Sequence, residues 1–308
     1  MPISPRIRRI ARRVLIRLSI LGAVFFLGFV PWFFTHIVTR GRFHYPDPND
    51  GKAPISYGLN SRWIEFRSTD GVPLKGWYLP AEGLARGTFI YCHGLNRTRV
   101  EMLPRAQFGR QIGYNGLLFD LRHHGQSGGE ITTLGYQERL DVLGAVRYAL
   151  TEEKAARPII IWGVSMGAAA ALMAAADSPD ISAVISDSSF LSLSDTVQHH
   201  WKLFLPLPAF PIAHEVIYAT AWRGGFRAED LDLERAVERI GSRPILFVAV
   251  QGDRRMPPAV AEKLYWRSRS PGKGIIVLPG TRHGEGFNQS RELYQKAVSE
   301  FLVRIPGQ

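Results

Sequence analysis

The chain has 308 residues, of which 45% are hydrophobic and 21% are charged, and its formal net charge is +11. This composition supplies enough apolar surface for one large core or two smaller ones, so it excludes disorder as the main state. Residues 1–42 contain eight arginines and no lysine or acidic residue, which leaves a charge of only +3 on residues 43–308. A nucleic-acid-binding domain is therefore not expected. The single cysteine, Cys92, excludes an intramolecular disulfide bond and a cysteine-based zinc site.

An uncharged apolar segment covers residues 18–38 (LSILGAVFFLGFVPWFFTHIV). A helix of this length spans roughly 30 Å, which is the thickness of the hydrocarbon core of a bilayer. We predict a basic tail over residues 1–17, a transmembrane helix over 18–38 with a kink at Pro31, and a linker over 39–60. Because most of the arginines precede the helix, the N-terminus is expected in the cytoplasm and the remainder on the periplasmic, lumenal or extracellular side.

Two other interpretations of this segment remain open. A cleaved signal peptide is also apolar and follows basic residues, but this run is longer than usual and its exit, FTHIVTRGR, lacks a small-residue cleavage site. A peripheral or buried helix is the third interpretation. If the segment is a transmembrane helix, membrane lipid is a partner of the chain through this helix.

Residues 61–308 are predicted to form the folded domain. It begins with two alternating strands that are joined at Asp70-Gly71, a strong hairpin signal. Continuous apolar runs separated by helical patterns follow, which predicts an α/β fold with a mostly parallel sheet whose strands are buried on both faces. The predicted strands cover residues 87–92, 114–121, 158–163, 181–187, 243–250 and 273–279, and the predicted helices cover 101–112, 135–151, 166–177, 257–268 and 290–304.

One interval interrupts this alternation. About 55 residues separate the strand that ends at Asp187 from the strand that begins at Arg243, which is too many for a plain crossover. The aromatic, proline-interrupted stretch 199–222 predicts a small helical cap, inserted over residues 189–240 above the carboxyl edge of the sheet. Ordinary helical packing against the core is the alternative.

The pattern G-x-S-x-G occurs twice, around Ser127 and around Ser165. A nucleophile elbow needs a strand that ends at the first glycine and a helix that starts at the serine, because this turn exposes the hydroxyl above the sheet edge. Ser165 follows the run PIIIW and precedes MGAAAALMAAA, and Gly163 and Gly167 let the two backbones approach each other. The glycines after Ser127 would instead break a helix. We therefore predict Ser165 as the nucleophile and assign Ser127 to a loop.

A serine nucleophile needs a general base, and the base needs an acidic partner that fixes its tautomer. In hydrolases with this elbow the chain order is Ser, then Asp or Glu, then His. Only His283 lies downstream of the strand at 243–250, in the loop after the last strand. Asp253 lies in the corresponding loop after the preceding strand and is the predicted acid. Asp187 is the alternative acid.

Acyl transfer also needs two N–H groups that stabilise the oxyanion. Met166, directly after the nucleophile, is predicted to supply one of them. The loop after the strand at 87–92 is predicted to supply the other, from Leu95. His93 and Gly94 are expected to shape this loop without titrating in catalysis.

These motifs together resemble the α/β-hydrolase superfamily, and within it the membrane-anchored BEM46-like hydrolases, which are related to the serine aminopeptidase and prolyl oligopeptidase groups. The resemblance covers about residues 61–304 and implies an eight-stranded sheet, a Ser-His-Asp triad and no cofactor. The residues that carry it are 92–94 (CHG), 120–127 (DLRHHGQS), 163–167 (GVSMG), 187–190 (DSSF), 253–258 (DRRMPP) and 283–284 (HG).

The favoured function is a membrane-anchored serine hydrolase of a carboxylic ester or thioester, with a small acyl-ester or peptide-like substrate. A serine peptidase or an acyltransferase with the same triad is the alternative, and a non-catalytic binding module is a third hypothesis. No metal site is expected, since the pairs His123-His124 and His199-His200 lack carboxylates at ligand spacing and are interpreted as solvated.

Overall fold

The computed structural model describes residues 4–41, 43–205 and 208–305. The other residues are three of the predicted basic tail, Arg42 of the predicted linker, two of the predicted cap and the last three of the predicted domain.

Eight strands form one sheet. They are β1 (Arg62–Arg67), β2 (Pro73–Leu79), β3 (Thr88–Cys92), β4 (Asn115–Phe119), β5 (Ile159–Val164), β6 (Ala183–Asp187), β7 (Ile245–Val250) and β8 (Gly274–Leu278). Their order is β1-β2-β4-β3-β5-β6-β7-β8. Strand β2 pairs antiparallel with β1 and β4, and every other neighbouring pair is parallel. The predicted α/β-hydrolase fold with a mostly parallel, eight-stranded sheet is confirmed.

The helices alternate with the strands as the apolar pattern predicts. They are α1 (Pro5–Val24), α2 (Val30–Arg40), α3 (Leu103–Gln111), α4 (Glu138–Thr151), α5 (Met166–Asp177), α6 (Leu193–Phe204), α7 (Ile212–Arg223), α8 (Leu233–Ile240), α9 (Pro258–Arg267), α10 (Gly286–Gln289) and α11 (Arg291–Leu302).

Two apolar clusters cover the two faces of the sheet. Residues of α4, α5, α8 and α9 belong to one cluster, and residues of α3 and α11 belong to the other. Every residue of β3 to β7 is buried, because helices lie on both faces of these strands. The prediction of burial on both faces is wrong for β8, whose residues are mostly half-buried because it is an edge strand.

The N-terminal helix is longer than the predicted span. Helices α1 and α2 and the π-helical turn Phe25–Phe29 between them form one helix, Pro5–Arg40, that is long and apolar enough to cross a membrane. Much of the predicted basic tail is thus the first part of this helix. The helix also continues through Pro31. In a regular α-helix a proline ring clashes with the carbonyl four residues earlier. Here that carbonyl lies in the π-helical turn, whose wider backbone accommodates the ring.

The end of this helix packs against the domain. Pro31, Thr35 and Thr39 of α2 are buried. The ring of Phe34 contacts Trp201 of α6 edge to face, with 5.3 Å between the ring centroids. Helix α2 is therefore part of the folded structure as well as the end of the candidate membrane span.

Residues 43–60, predicted as a linker, are also attached to the domain. The N–H of Tyr45 donates to the carbonyl of Asn96 at 2.9 Å. The guanidinium of Arg97 donates to the carbonyl of Tyr45 at 3.2 Å and pairs with Asp47 at 3.2 Å. This segment therefore forms part of one wall beside the loop after β3, a role that its composition did not indicate.

Helices α6 and α7 form the layer above the sheet edge, within the predicted cap range of about 189–240. Their small apolar cluster, around Trp201 and Val216, includes Val30 and Phe34 of the N-terminal helix. Other buried residues of α6 and α7, and the buried residues of α8, belong to the apolar cluster of α4, α5 and α9 on the sheet. The cap therefore packs against both the N-terminal helix and the cluster on the sheet.

A buried ion pair connects the ends of separate elements beneath the carboxyl edge. Arg105 of α3 and Asp187 at the end of β6 are fully buried and lie 3.0 Å apart. Arg105 also donates to the carbonyl of Gly284 at 3.1 Å, and the hydroxyl of Tyr294 donates to Asp187 at 2.9 Å. The pair thus holds β6, α3, α11 and the loop after β8 in one arrangement.

Replacement of Arg105 by Met is expected to lower the free energy of unfolding by about 3–5 kcal/mol, because the Asp187 carboxylate would stay buried without its cation. Chemical denaturation of the full chain in detergent measures this change. The control is Arg227→Met, which removes an exposed pair with Glu229 and is expected to cost about 0–1 kcal/mol. Equal losses in both variants would contradict this interpretation of the buried pair.

Candidate active site

The turn after β5 has the geometry of a nucleophile elbow. Strand β5 ends at Val164 and α5 begins at Met166, so Ser165 alone joins them, with φ 53° and ψ −115°. This left-handed backbone is strained for a residue with a side chain, and elbows of this kind hold the nucleophile above the sheet. A Cβ on Gly163 would lie 2.3 Å from the carbonyl oxygen of Gly167, which explains the first glycine.

Loops at the same sheet edge bring the predicted base and acid to this serine. The Oγ of Ser165 lies 2.8 Å from Nε2 of His283, in the loop after β8. Nδ1 of His283 lies 2.7 Å from Oδ2 of Asp253, in the loop after β7. The three side chains therefore form one chain of hydrogen bonds, in the order that a triad requires.

Asp253, the predicted acid, is held as a carboxylate. Oδ1 of Asp253 accepts hydrogen bonds from the N–H groups of Arg255 at 2.9 Å and Met256 at 3.0 Å. Burial alone would raise the pKa of Asp253, but the hydrogen bonds from His283 and these N–H groups outweigh it and lower the pKa. The alternative acid, Asp187, binds Arg105 and Tyr294 and has no hydrogen bond to His283.

The predicted oxyanion donors lie beside the serine. Within the described ranges, the N–H groups of Leu95 and Met166 donate to no protein acceptor, and both residues line the pocket that contains Ser165. The N–H of Gly94 instead donates to Glu101 at 2.7 Å. Burial raises the pKa of Glu101 to about 7, against the lowering effect of that N–H group.

His93 is fixed in the loop after β3. Its Nδ1–H donates to the carbonyl of Gly94 at 2.8 Å, and its Nε2 accepts from the N–H of Leu121 at 3.0 Å. Burial, with a further contribution from nearby His124, lowers the pKa of His93 well below its usual range. His93 therefore has a neutral ring that connects the ends of β3 and β4.

The second G-x-S-x-G motif lies in a loop away from these groups. The hydroxyl of Ser127 donates to the carbonyl of Asp120 at 2.6 Å and accepts from the N–H of Lys75 at 3.0 Å. These bonds explain why a serine occupies a buried turn without a catalytic partner.

The interpretation of the histidine pairs as solvated is wrong. His123 and His124 are buried, and the Nδ1 of His124 lies 2.8 Å from the carbonyl of Arg122. His199 and His200 of α6 are half-buried and contact the loop that contains the acid. Among the described residues, no group of three or more His, Cys, Asp or Glu side chains could hold a metal ion.

An apolar pocket of about 270 Å³ opens at the serine. The cap supplies half of its lining residues, with Trp201 and Val216 among them. Phe34 and Val38 of the N-terminal helix complete it. Sequence patterns could not show this contribution, since the apolar character of these residues is equally explained by a membrane span.

A polar cleft of about 900 Å³ meets the serine from the other side. His283 lines this cleft and does not line the apolar pocket. The charged residues that line the polar cleft are Arg97, Arg255, Arg282, Glu101 and Glu285. Tyr45 from the predicted linker also lines this cleft. The serine therefore lies at the junction of an apolar pocket and a charged cleft.

Comparison with known proteins agrees with this architecture. A family model described as the α/β-hydrolase fold matches residues 87–208. The YqkD protein of Bacillus subtilis is 29% identical over 239 residues, which cover 76% of this chain and 77% of that protein. The Bem46 protein of Schizosaccharomyces pombe is 24% identical and covers 90% of this chain and 88% of its own length. The solved esterase Pf2001 of Pyrococcus furiosus is 25% identical, with a TM-score of 0.69 over 85% of this chain and 99% of that one.

These matches and the sheet order show that the chain has the α/β-hydrolase fold and is similar to α/β hydrolases. Within this superfamily it is similar to the BEM46-like proteins, which confirms the resemblance that its motifs indicate. The residues that match the family model include the elbow at Ser165.

The hydrogen bond between Asp253 and His283 predicts a large effect of Asp253→Asn. Loss of the carboxylate should favour the wrong tautomer of His283 and lower the rate at which a fluorophosphonate labels Ser165 by about 10³–10⁴-fold. Pseudo-first-order labelling at neutral pH measures this rate. Asp195→Asn, on the exposed side of α6, is the control and should keep the wild-type rate. Labelling of Asp253→Asn at the wild-type rate would contradict its assignment as the acid.

Proposed function

We propose that the chain is a membrane-anchored serine hydrolase that cleaves a carboxylic ester or thioester through an acyl-enzyme intermediate. The observation that carries this proposal is the chain of hydrogen bonds from Ser165 through His283 to Asp253, at the mouth of an apolar pocket. The esterase Pf2001, with its similar fold, supports the choice of an ester.

In the first half of the reaction, Nε2 of His283 takes the proton of the Ser165 hydroxyl while Oγ attacks the carbonyl carbon. The carbonyl π bond opens, and the negative oxygen of the tetrahedral intermediate accepts hydrogen bonds from Leu95 and Met166. The bond to the leaving oxygen or sulfur then breaks. His283 gives its proton to that atom, and the acyl group remains on Oγ.

Water completes the reaction on the acyl-enzyme. His283 takes one proton of the water as the oxygen attacks the acyl carbon, and a second tetrahedral intermediate forms at the same two N–H groups. The bond to Oγ breaks, Oγ recovers the proton from His283, and the carboxylic acid leaves. Throughout both halves Asp253 remains ionised and stabilises the imidazolium.

The cleft favours an ester over a peptide with a free N-terminus. An aminopeptidase needs an unpaired carboxylate that binds the substrate ammonium group. Both acidic residues of the cleft, Glu101 and Glu285, instead lie within 4 Å of Arg97, at 3.7 Å and 3.6 Å. The apolar pocket, in contrast, is suited to the hydrocarbon part of an acyl group.

Membrane attachment through the N-terminal helix fits the position of the pocket. The helix is mostly exposed in the protein, with Trp32 and Phe33 on its outer side. Phe204, Phe210, Tyr218 and Trp222 of the cap region are also exposed, as expected for aromatic residues at a membrane interface. In this arrangement the N-terminus is cytoplasmic, and the pocket opens close to the membrane surface on the opposite side.

Ser165→Ala tests the proposed nucleophile. This variant is expected to lose at least about 10³-fold in kcat on p-nitrophenyl esters, because the remaining groups cannot form the acyl-enzyme. Ser127→Ala is the matched control from the second G-x-S-x-G motif and should retain activity in its folded fraction. Full activity of Ser165→Ala, or activity lost only in Ser127→Ala, would contradict the proposal.

Phe34→Ala tests the contribution of the N-terminal helix to the pocket. Loss of this ring should raise KM about tenfold for octanoyl esters and much less for acetyl esters, since only the longer chain reaches the wall. The neighbouring Phe33→Ala, whose ring is exposed, is the control. An acyl chain-length series measured on both variants checks the expectation, and equal responses would show that α2 does not contact the acyl chain.

A further inference from the structure

The two spaces beside Ser165 receive different parts of an ester. The leaving oxygen must lie close to His283, which protonates it. Since His283 lines only the polar cleft, the alcohol part of the substrate lies in that cleft. The acyl chain then occupies the apolar pocket on the side of Met166.

The three arginines that line the polar cleft differ in their ion pairs. Arg97 lies within 4 Å of three carboxylates, those of Asp47, Glu101 and Glu285. Arg255 and Arg282 also line the cleft, and among the described residues neither has a carboxylate within 4 Å. Arg282 is exposed to solvent, whereas Arg255 is half-buried.

Arg255 is held close to the reacting groups. Its backbone N–H binds the acid, Asp253, at 2.9 Å, and its side chain lines both the apolar pocket and the polar cleft. Nε donates to Nε2 of His200 at 3.4 Å, and Nδ1–H of His200 donates to the carbonyl of Thr196 at 2.8 Å. Two successive hydrogen bonds from the cap helix α6 thus orient the guanidinium of Arg255.

His200 is suited to this position because it remains neutral. Burial lowers its pKa to about 4, and Arg255 contributes to the lowering. At neutral pH its Nε2 is therefore an acceptor and does not repel the guanidinium. The neighbouring His199 binds the carbonyl of Arg254 with its Nε2 at 2.8 Å, so the histidine pair connects the cap to the acid loop.

The terminal nitrogens of Arg255 have no acceptor in the described part of the chain. Burial lowers the pKa of Arg255, although nearby Asp253 acts in the opposite direction. A half-buried guanidinium without an ion pair gains more from a bound anion than a solvated one does. Its two free nitrogens can bind two oxygens of a carboxylate or phosphate at once.

We propose that Arg255 binds an anionic group on the alcohol part of the substrate, so that the preferred substrates are acyl esters of alcohols that carry a phosphate or a carboxylate. This inference rests on the proposed function, because it assigns the alcohol part to the His283 side of the serine. The substrate is amphiphilic, with its hydrocarbon chain in the pocket completed by the N-terminal helix and its anionic group in the cleft.

The test compares ester pairs that share an octanoyl group. The phosphate pair is 1-octanoylglycerol 3-phosphate with 1-octanoylglycerol, and the carboxylate pair is 4-(octanoyloxy)benzoate with 4-(octanoyloxy)benzamide. The full chain in detergent or nanodiscs is expected to have a kcat/KM about tenfold or more higher for the anionic member of at least one pair. The pair that shows the preference identifies the anionic group.

Arg255→Gln should lower this ratio to near one, and Arg255→Lys should retain part of it, because the ammonium keeps the charge and loses the planar fork. Arg254→Gln is the matched control: it removes the same charge one residue away, from a side chain that lines neither space, and should keep the wild-type ratio. A ratio near one in the wild type for both pairs, or a ratio that survives Arg255→Gln, would overturn the proposal.

A binding measurement separates this proposal from the proposed function. Isothermal titration of the full chain with 1-O-octylglycerol 3-phosphate and 1-O-octylglycerol uses ether analogues that cannot be hydrolysed, and 4-(octyloxy)benzoate and 4-(octyloxy)benzamide form the second pair. One possible outcome is that an anionic ether binds more tightly than its neutral partner, that Arg255→Gln removes this difference, and that the protein hydrolyses no ester. This outcome would support the anion site and contradict the proposed hydrolase function. Equal binding of both members in both pairs would overturn the anion site even in an active esterase.

Discussion

The close approach of α5 to the ends of β3 and β5 is the constraint on which the site depends. A Cβ on Gly167 would lie 2.3 Å from the carbonyl oxygen of Cys92, so only glycine lets α5 start directly above the sheet edge. Ser165 has a positive φ at this close approach, and its N–H donates to the carbonyl of Asp187 at 2.8 Å. The strained backbone thereby aims the hydroxyl at His283, and the N–H of Met166 is left free at the start of the helix.

The same carboxyl edge also positions His283, the proposed base. Asp187 fixes the elbow through its backbone and binds Arg105 through its side chain, and Arg105 binds the carbonyl of Gly284. Gly284 follows His283 directly, so the buried ion pair fixes the position of His283, the proposed base, relative to Ser165, the proposed nucleophile. Asp187, which the sequence offers as an alternative acid, therefore has a structural role in the proposed active site.

The end of the N-terminal helix, which is the candidate membrane span, forms part of the candidate active site. Val30 and Phe34 complete the small core of the cap, and Phe34 and Val38 complete the apolar pocket. The following segment, through Tyr45, lines the polar cleft. In the proposed enzyme, removal of the anchor would thus change both walls of the site, which distinguishes it from a simple tether.

The sequence predicts local and ordered features well. The strands, the elbow around Ser165, and the chain order that selects Asp253 and His283 all follow from short-range patterns and from the parallel sheet that aligns the strand ends. Long-range contacts between irregular segments carry no such pattern. Three features depend on tertiary packing and could not be predicted from spacing. They are the contact of Tyr45 with Asn96, the burial of His124 and the absence, among the described residues, of a carboxylate partner for Arg255.

The central claim is that the serine of the domain and the N-terminal helix form one site. An alkyl fluorophosphonate with a terminal diazirine tests it most directly, since the phosphorus reacts with the nucleophile and irradiation then joins the end of the chain to its neighbour. Mass spectrometry of the digested protein should find Ser165 modified and linked to α2, near Phe34 or Val38. Modification at another serine, or a link from Ser165 that never reaches the N-terminal helix, would contradict the account.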